Sequence, residues 1–217
     1  KWSTTTQPAS YSTPTQVRIG KTSFTVIITR YKCLFLEPES GEIRWEFPFG
    51  MRGPTVNAAV PVIQKKSTGL SLLITAAYGI GTMEGTFDEN TFTKRWESLD
   101  PLASQYCTPI LIGPHAYCID GRDDMPPTSM KCIDTHTGIV RWNQDNFGYG
   151  TLIYADEKII AAKTNGELVL MEANPQHFNI LGQHRALSGT LRALPALADG
   201  KLFLRDDATL VCLNVGR

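Results

Sequence analysis

The sequence predicts an all-β chain in which one four-stranded antiparallel unit recurs. Three observations predict it. Tryptophans and prolines return at a near-constant spacing, a turn-to-tryptophan segment is repeated, and short β-branched runs fill the rest without a sustained helical period.

The spacing comes first. Trp2, Trp45, Trp96 and Trp142 are separated by 43, 51 and 46 residues. Pro14, Pro61, Pro109 and Pro195 are separated by 47, 48 and 86, and the last gap is twice 43, with Leu152 at its midpoint. Five units can therefore be laid in register, one with leucine in place of proline.

The repeated segment agrees with this register. Ser40-Gly41-Glu42-Ile43-Arg44-Trp45 is echoed by Thr137-Gly138-Ile139-Val140-Arg141-Trp142 and, more loosely, by Asn90-Thr91-Phe92-Thr93-Lys94-Arg95-Trp96. Tight hairpins are expected at Ile112-Gly113-Pro114-His115, Ala155-Asp156-Glu157-Lys158 and Ala198-Asp199-Gly200-Lys201, where turn residues separate apolar runs.

Alternation and β-branching predict strands near 14–19, 24–29, 32–37 and 43–48, then near 57–63, 70–77, 82–88 and 92–98. A third set falls near 106–112, 115–120, 130–134 and 139–144, and a fourth near 149–154, 158–162, 167–172 and 178–184. The last unit supplies three, near 192–197, 201–205 and 209–214. Units of this size with four short strands are the blades of a β-propeller. The cause is burial. A lone twisted sheet has two apolar faces, and radial stacking covers both, which accounts for continuous runs such as Leu70-Ser71-Leu72-Leu73-Ile74. The expected blades are 12–49, 55–99, 105–145, 148–185 and 190–214, the last lacking its outer strand, within a single domain over 1–217. The tryptophans read as wedges between blades, each contributing about 2–3 kcal/mol by area.

Composition narrows the function. The chain has 217 residues, 21 basic and 21 acidic. A net charge near zero argues against nucleic-acid binding and against a polybasic membrane surface. A hydrophobic content of 42% is enough for a core, and no apolar run is long enough for a transmembrane helix. The polar start Lys1-Trp2-Ser3-Thr4-Thr5-Thr6 reads as a mature or internal beginning without a signal peptide.

The chemistry-bearing residues form no strong motif. No pair of the five cysteines is spaced C-x-x-C. Cys33, Cys132 and Cys212 are expected at one third-strand position as small buried residues. Cys107 and Cys118 are expected on adjacent strands of one hairpin, bridged only in a favourable register. Asp120-Gly121-Arg122-Asp123-Asp124-Met125-Pro126-Pro127 reads as a long loop. Its acids can be weighed as calcium ligands, but a solvated turn with an Asp–Arg pair fits better. His115, His136, His177 and His184 have neither metal spacing nor a Ser or Cys partner. Gly79 and Gly81 precede no helix, so they read as a bend rather than a phosphate loop.

If the first strand of each unit lines a central channel, its entry residues Asn57, Tyr106, Tyr149 and Arg192 converge on the axis. They are the candidate binding residues, against the simpler reading that they plug the tunnel.

The segment Cys132-Ile133-Asp134-Thr135-His136-Thr137-Gly138-Ile139-Val140-Arg141-Trp142, with Leu34-Phe35-Leu36-Glu37-Pro38-Glu39-Ser40-Gly41-Glu42-Ile43-Arg44-Trp45, resembles the repeats of the pyrroloquinoline-quinone (PQQ)-like β-propellers. That family includes quinoprotein alcohol and glucose dehydrogenases and the scaffold lipoprotein of the bacterial outer-membrane barrel-assembly machinery. The resemblance implies a seven- or eight-bladed ring, of which four to five blades are present here. A five-bladed ring closed by the Trp2 strand is the alternative. It also implies an exported, periplasmic or secreted bacterial protein. Family dehydrogenases hold the quinone with calcium and adjacent cysteines, and this chain has no adjacent cysteines. The leading expectation is therefore a non-enzymatic scaffold for a protein or small ligand, with no cofactor, no metal and no catalytic residue assigned. A quinone-dependent oxidoreductase, and carbohydrate or peptide binding at the axis, are the alternatives.

Overall fold

The computed structural model describes residues 1–66 and 69–216, and among them every regular element is a strand. Blade 1 holds β1 (Thr15–Ile19), β2 (Thr22–Ile28), β3 (Lys32–Leu36) and β4 (Ile43–Pro48). Blade 2 holds β5 (Val62–Lys66), β6 (Gly69–Ala76), β7 (Gly81–Phe87) and β8 (Phe92–Ser98). Blade 3 holds β9 (Ile110–Ile112), β10 (His115–Arg122), β11 (Met125–Asp134) and β12 (Val140–Gln144). Blade 4 holds β13 (Gly150–Ala155), β14 (Lys158–Lys163), β15 (Glu167–Glu172) and β16 (Ile180–Arg185). Blade 5 holds β17 (Ala196–Ala198), β18 (Lys201–Arg205) and β19 (Leu210–Asn214). Each blade is an antiparallel meander in chain order. β9 approaches both β5 and β13, which sets the first strands innermost.

The core lies between the sheets. Phe24, Val26 and Phe35 of blade 1 pack with Leu72, Ile74 and Phe87 of blade 2. Tyr117, Ile119 and Cys132 of blade 3 pack with Ile159, Val169 and Met171 of blade 4. Leu168 of blade 4 packs with Leu202 and Leu204 of blade 5. Each buried side chain of this size stabilises by about 1.5–3 kcal/mol, so the sheets hold together only as a stack.

Pairing registers explain both sets of sequence anchors. Every fourth strand of blades 1–4 carries a bulge at the same place, opposite Phe35/Leu36, Glu84/Gly85, Cys132/Ile133 and Leu170/Met171. The residues paired there are Trp45, Trp96, Trp142 and, in blade 4, Gly182. The indole N–H of Trp96 donates to Thr135 O of blade 3 at 2.9 Å, and that of Trp142 to Asn174 O of blade 4 at 2.8 Å. Trp45 instead packs among Phe24, Phe35 and Phe87. Pro14, Pro61, Pro109 and Pro195 each immediately precede a first strand. A proline has no N–H to give a ladder, so the strand begins after it. Leu152 has an N–H, and β13 accordingly extends back to Gly150, paired with Lys163.

This corrects three strand expectations. Strands foreseen from 57, 106 and 192 begin only at Val62, Ile110 and Ala196. The acid-rich stretch is also no loop. β10 and β11 run on as a hairpin to Arg122 and Met125. Pro126 and Pro127 fall where the register shifts, so their missing N–H groups break no regular pair.

The cysteine expectation changes too. Cys132 and Cys212 are equivalent, opposite Tyr117 and Phe203, but Cys33 faces Phe47 two residues earlier and matches Met130. Cys212 is exposed rather than buried, because it lies on the uncovered face of blade 5. All five thiols are free, and Cys107 lies ahead of β9 rather than on a strand.

Residues 1–14 carry no strand. Trp2 docks on blade 1, its indole N–H donating to Pro38 O at 3.0 Å. β19 pairs with β18 alone among the described residues, so the Trp2 segment does not complete blade 5. No helix in the described residues is long and apolar enough to cross a membrane.

Candidate axial binding site

Asn57, Tyr106, Tyr149 and Arg192 all lie on segments that lead into first strands. The structure brings three of them together. Tyr106 meets Tyr149 edge-on at 4.6 Å between ring centres. The Tyr149 hydroxyl accepts the N–H groups of Tyr106 at 2.8 Å and Cys107 at 3.1 Å, and bonds with Ser104 Oγ at 3.0 Å. Arg192 pairs with Asp123 at 2.8 Å. The Tyr106 hydroxyl is buried beside that pair and closes no hydrogen bond.

Asn57 serves elsewhere. Its side-chain NH2 donates to Thr29 O at 2.8 Å and Phe49 O at 3.3 Å, and its backbone carbonyl accepts the N–H groups of Tyr11 and Ser12. It ties the N-terminal segment to blade 1.

The extended β10–β11 hairpin brings Asp123 to Arg192. Its root is clamped to residues 103–105. Gly121 N donates to Ala103 O, Gln105 N donates to Gly121 O, and Ala103 N donates to Asp120 Oδ1 at 2.6 Å. Asp120 also pairs with Lys131 at 2.7 Å. At the tip, Gln105 Oε1 accepts Asp123 N, while Gln105 Nε2 donates to Tyr78 Oη and Asp124 Oδ1. Arg122 pairs with Asp124 and lies 4.3 Å above the Tyr78 ring. The Asp–Arg turn expected from sequence is thus present.

Each acid of the hairpin already has its own cation, Asp120 with Lys131, Asp123 with Arg192 and Asp124 with Arg122. No group of three His, Cys, Asp or Glu among the described residues is arranged to hold a metal. The residues therefore do not fit the calcium and adjacent-cysteine cradle of a quinone cofactor.

Burial shapes the electrostatics. It pushes the Tyr106 phenol well above its usual range, helped by the Asp123 charge and opposed by Arg192. It raises Tyr149 in the same way. The thiols of Cys33 and Cys118 follow, as does that of Cys132, pushed up to about 11. None of these phenols and thiols is activated as a nucleophile at neutral pH. What remains is a half-buried Tyr106 ring packed on the buried Tyr149, beside one guanidinium, 67% exposed at its side chain, over a partner only 14% exposed. A cavity of about 440 Å³, lined by Arg122, Asp123, Pro127 and Tyr149 among others, opens beside it.

Sequence reasoning missed Gln105, Ser104 and Tyr78. Single polar residues between strands carry no periodic signal, and their partners are 18 or more residues away.

These features define the fold: a β-propeller of antiparallel blades, with tryptophans clamping the junctions between blades 2 and 3 and between blades 3 and 4. No family model matches the sequence, and a search of curated proteins finds no match. Solved structures do match in fold. BamB from Moraxella catarrhalis is 14% identical with a TM-score of 0.50, covering 91% of this chain and 70% of its own. A europium-containing methanol dehydrogenase is 10% identical with a TM-score of 0.52, covering 79% of this chain and 41% of its own. BBS1N, crystallised in complex with ARL6DN, is 14% identical with a TM-score of 0.63, covering 94% of this chain and 65% of its own. At these identities the likeness is one of fold.

Proposed function

We propose that the chain is a non-enzymatic β-propeller scaffold that binds a segment of another protein at the rim of its axis. The observation that carries this reading is the convergence of Tyr106, Tyr149 and Arg192 around Asp123. The half-buried Tyr106 ring, held in place by the buried Tyr149, beside an exposed guanidinium suits a peptide's side chain and carbonyl or carboxylate oxygens. Arg192 has five N–H donors and gives only two to Asp123, leaving donors for a partner. The fold likeness to BamB supports reading the chain as an exported bacterial protein, periplasmic or secreted. The shares of the matched chains that it spans support five blades of a seven- or eight-bladed ring.

The test is selection of a displayed random-peptide library on the wild-type chain, with winners re-tested on Arg192→Ala and Asp123→Asn. Unchanged thermal unfolding of both variants serves as the folding control. Enriched peptides should lose about tenfold or more in affinity on Arg192→Ala, the range of a desolvated charge-assisted bond. An empty selection, or winners indifferent to both variants, contradicts the reading.

A further inference from the structure

The junction between blades 4 and 5 differs from the others. By strand register Gly182 occupies the position of Trp45, Trp96 and Trp142, at the same bulge. The earlier tryptophans fill the wedge between neighbouring sheets, and Trp96 and Trp142 each donate an N–H to the turn after the third strand of the next blade. At Gly182 there is no side chain, and the backbone is not the reason. Its φ is not in the left-handed region, and a Cβ added there meets no atom within 4 Å.

The missing indole leaves a groove. A cavity of about 890 Å³ lies between blades 4 and 5, with Gly182 and His184 on its outer wall. Leu168 and Leu170 line it from blade 4, and Leu202 and Leu213 from blade 5. Leu168 and Leu202 are buried, so the floor is apolar and closed. The register that equates Cys212 with Cys132 puts Val215 where Thr135 stands in blade 3, and Val215 lines the same cavity. Thr135 supplies the carbonyl that accepts the Trp96 indole. The junction thus keeps the walls and the acceptor position of a tryptophan seat and lacks its tryptophan.

We propose that this groove binds a tryptophan side chain of a partner protein, seated in trans where the other junctions seat their own. The occupant is argued from the repeat itself. The same sheet geometry accepts an indole at blades 2–3 and 3–4, and a tryptophan presents the large apolar ring and single N–H donor that the seat requires. The site is separate from the axial cluster and does not depend on it.

The test uses N-acetyl-tryptophanamide as probe, with N-acetyl-alaninamide as control, titrated into the chain and followed by amide NMR shifts and thermal unfolding. The expected result is saturable shifts at Gly182, His184 and Leu213, with no response to the alanine amide. Gly182→Trp should raise the unfolding temperature and abolish the response, because its own indole fills the seat. Leu170→Glu puts a charge on the half-buried wall and should weaken binding about tenfold or more, which keeps the test open if Gly182→Trp folds poorly. Lack of a saturable shift in the wild type overturns the proposal, whether or not Gly182→Trp stabilises. Binding that persists in both variants overturns it as well.

Discussion

The indole N–H of Trp96 donates to the carbonyl oxygen of Thr135 across the gap between blades 2 and 3, at 2.9 Å. The ring of the same tryptophan lies 3.5 Å from where a Cβ on Gly138 would stand. One side chain therefore fills a wedge and satisfies a turn carbonyl in the neighbouring sheet. Trp142 makes the equivalent bond to Asn174.

Trp96→Phe keeps much of the apolar ring and removes the donor. The loss should be about 1–3 kcal/mol, the cost of a polar group left unpaired plus the smaller ring. Trp142→Phe should cost a similar amount, and the double variant close to the sum, because the two sit at different junctions. Urea unfolding measures all three. Strongly non-additive losses would mean that the junctions are not independent clamps.

Gly41 and Gly138 occupy matched turns, each with its N–H bonded four residues back, to Glu37 and Asp134. Both have positive φ, +76° and +72°, but a Cβ on Gly41 would come within 2.4 Å of the Trp2 ring. Gly138→Ala should cost only the backbone strain, about 1 kcal/mol. Gly41→Ala should also expel Trp2 and free residues 1–14 to protease. Equal proteolysis of the two variants would refute the docking of Trp2.

Tyr149 and Tyr106 touch, yet their hydroxyls differ. Tyr149→Phe strands the N–H groups of Tyr106 and Cys107 and the Ser104 hydroxyl, and should cost about 3 kcal/mol or more, at about 1–3 for each of the three groups left unpaired. Tyr106→Phe removes a buried hydroxyl without a partner and should be neutral or slightly stabilising. Chemical denaturation of the pair distinguishes them, and a reversed order would contradict the assigned network.

Two sets of carboxylates give opposite pH dependences. Asp88 and Asp206 accept backbone N–H bonds, from Asn90 and Thr91 and from Ala208, Thr209 and Gly189, which hold both below the ordinary value of 3.8. Their stabilisation is present above pH 3.8 and is lost as pH falls through the depressed values. Burial raises Glu84 above 4.5, with Arg95 and Lys66 opposing. Its contribution is full below pH 4.5 and fades as pH rises through the raised value. Asp206→Asn should therefore flatten the acid limb of a melting-temperature profile. Glu84→Gln should remove the decline just above pH 4.5. Profiles that overlay the wild type would contradict both assignments.

The blades were legible because their anchors are local in sequence and recur at near-constant spacing. A tryptophan beside a bulge marks the fourth strand of blades 1–3, and a proline precedes the first strand of every blade but blade 4, where Leu152 holds the register. Features governed by sequence-distant contacts or by irregular pairing leave no such local signal. Cys33 was set two residues out of register because a third-strand cysteine looks the same at either inward position. The hairpin at 120–127 looks like a loop in the sequence because three acids and two prolines usually mark one, and its clamps to Ala103 and Gln105 make it continue. Tyr106, Tyr149 and Arg192 were chosen by position, and their meeting depends on an ion pair between residues 69 apart. Asn57 follows from the same rule but lies apart from those three, bonded to the backbone of blade 1 and of the N-terminal segment. The vacant tryptophan position at Gly182 had no signal of its own and emerged only from the pairing register.

The central claim is that five sheets stand radially with their first strands inside and their faces sealed against one another. A crystal structure of the chain tests it most directly. The account predicts β5, β9 and β13 side by side at a common hub, Trp96 bonded to Thr135 across a blade junction, and Arg192 against Asp123. A flat two-layer sandwich, or sheets whose outer strands meet at the centre, would contradict it.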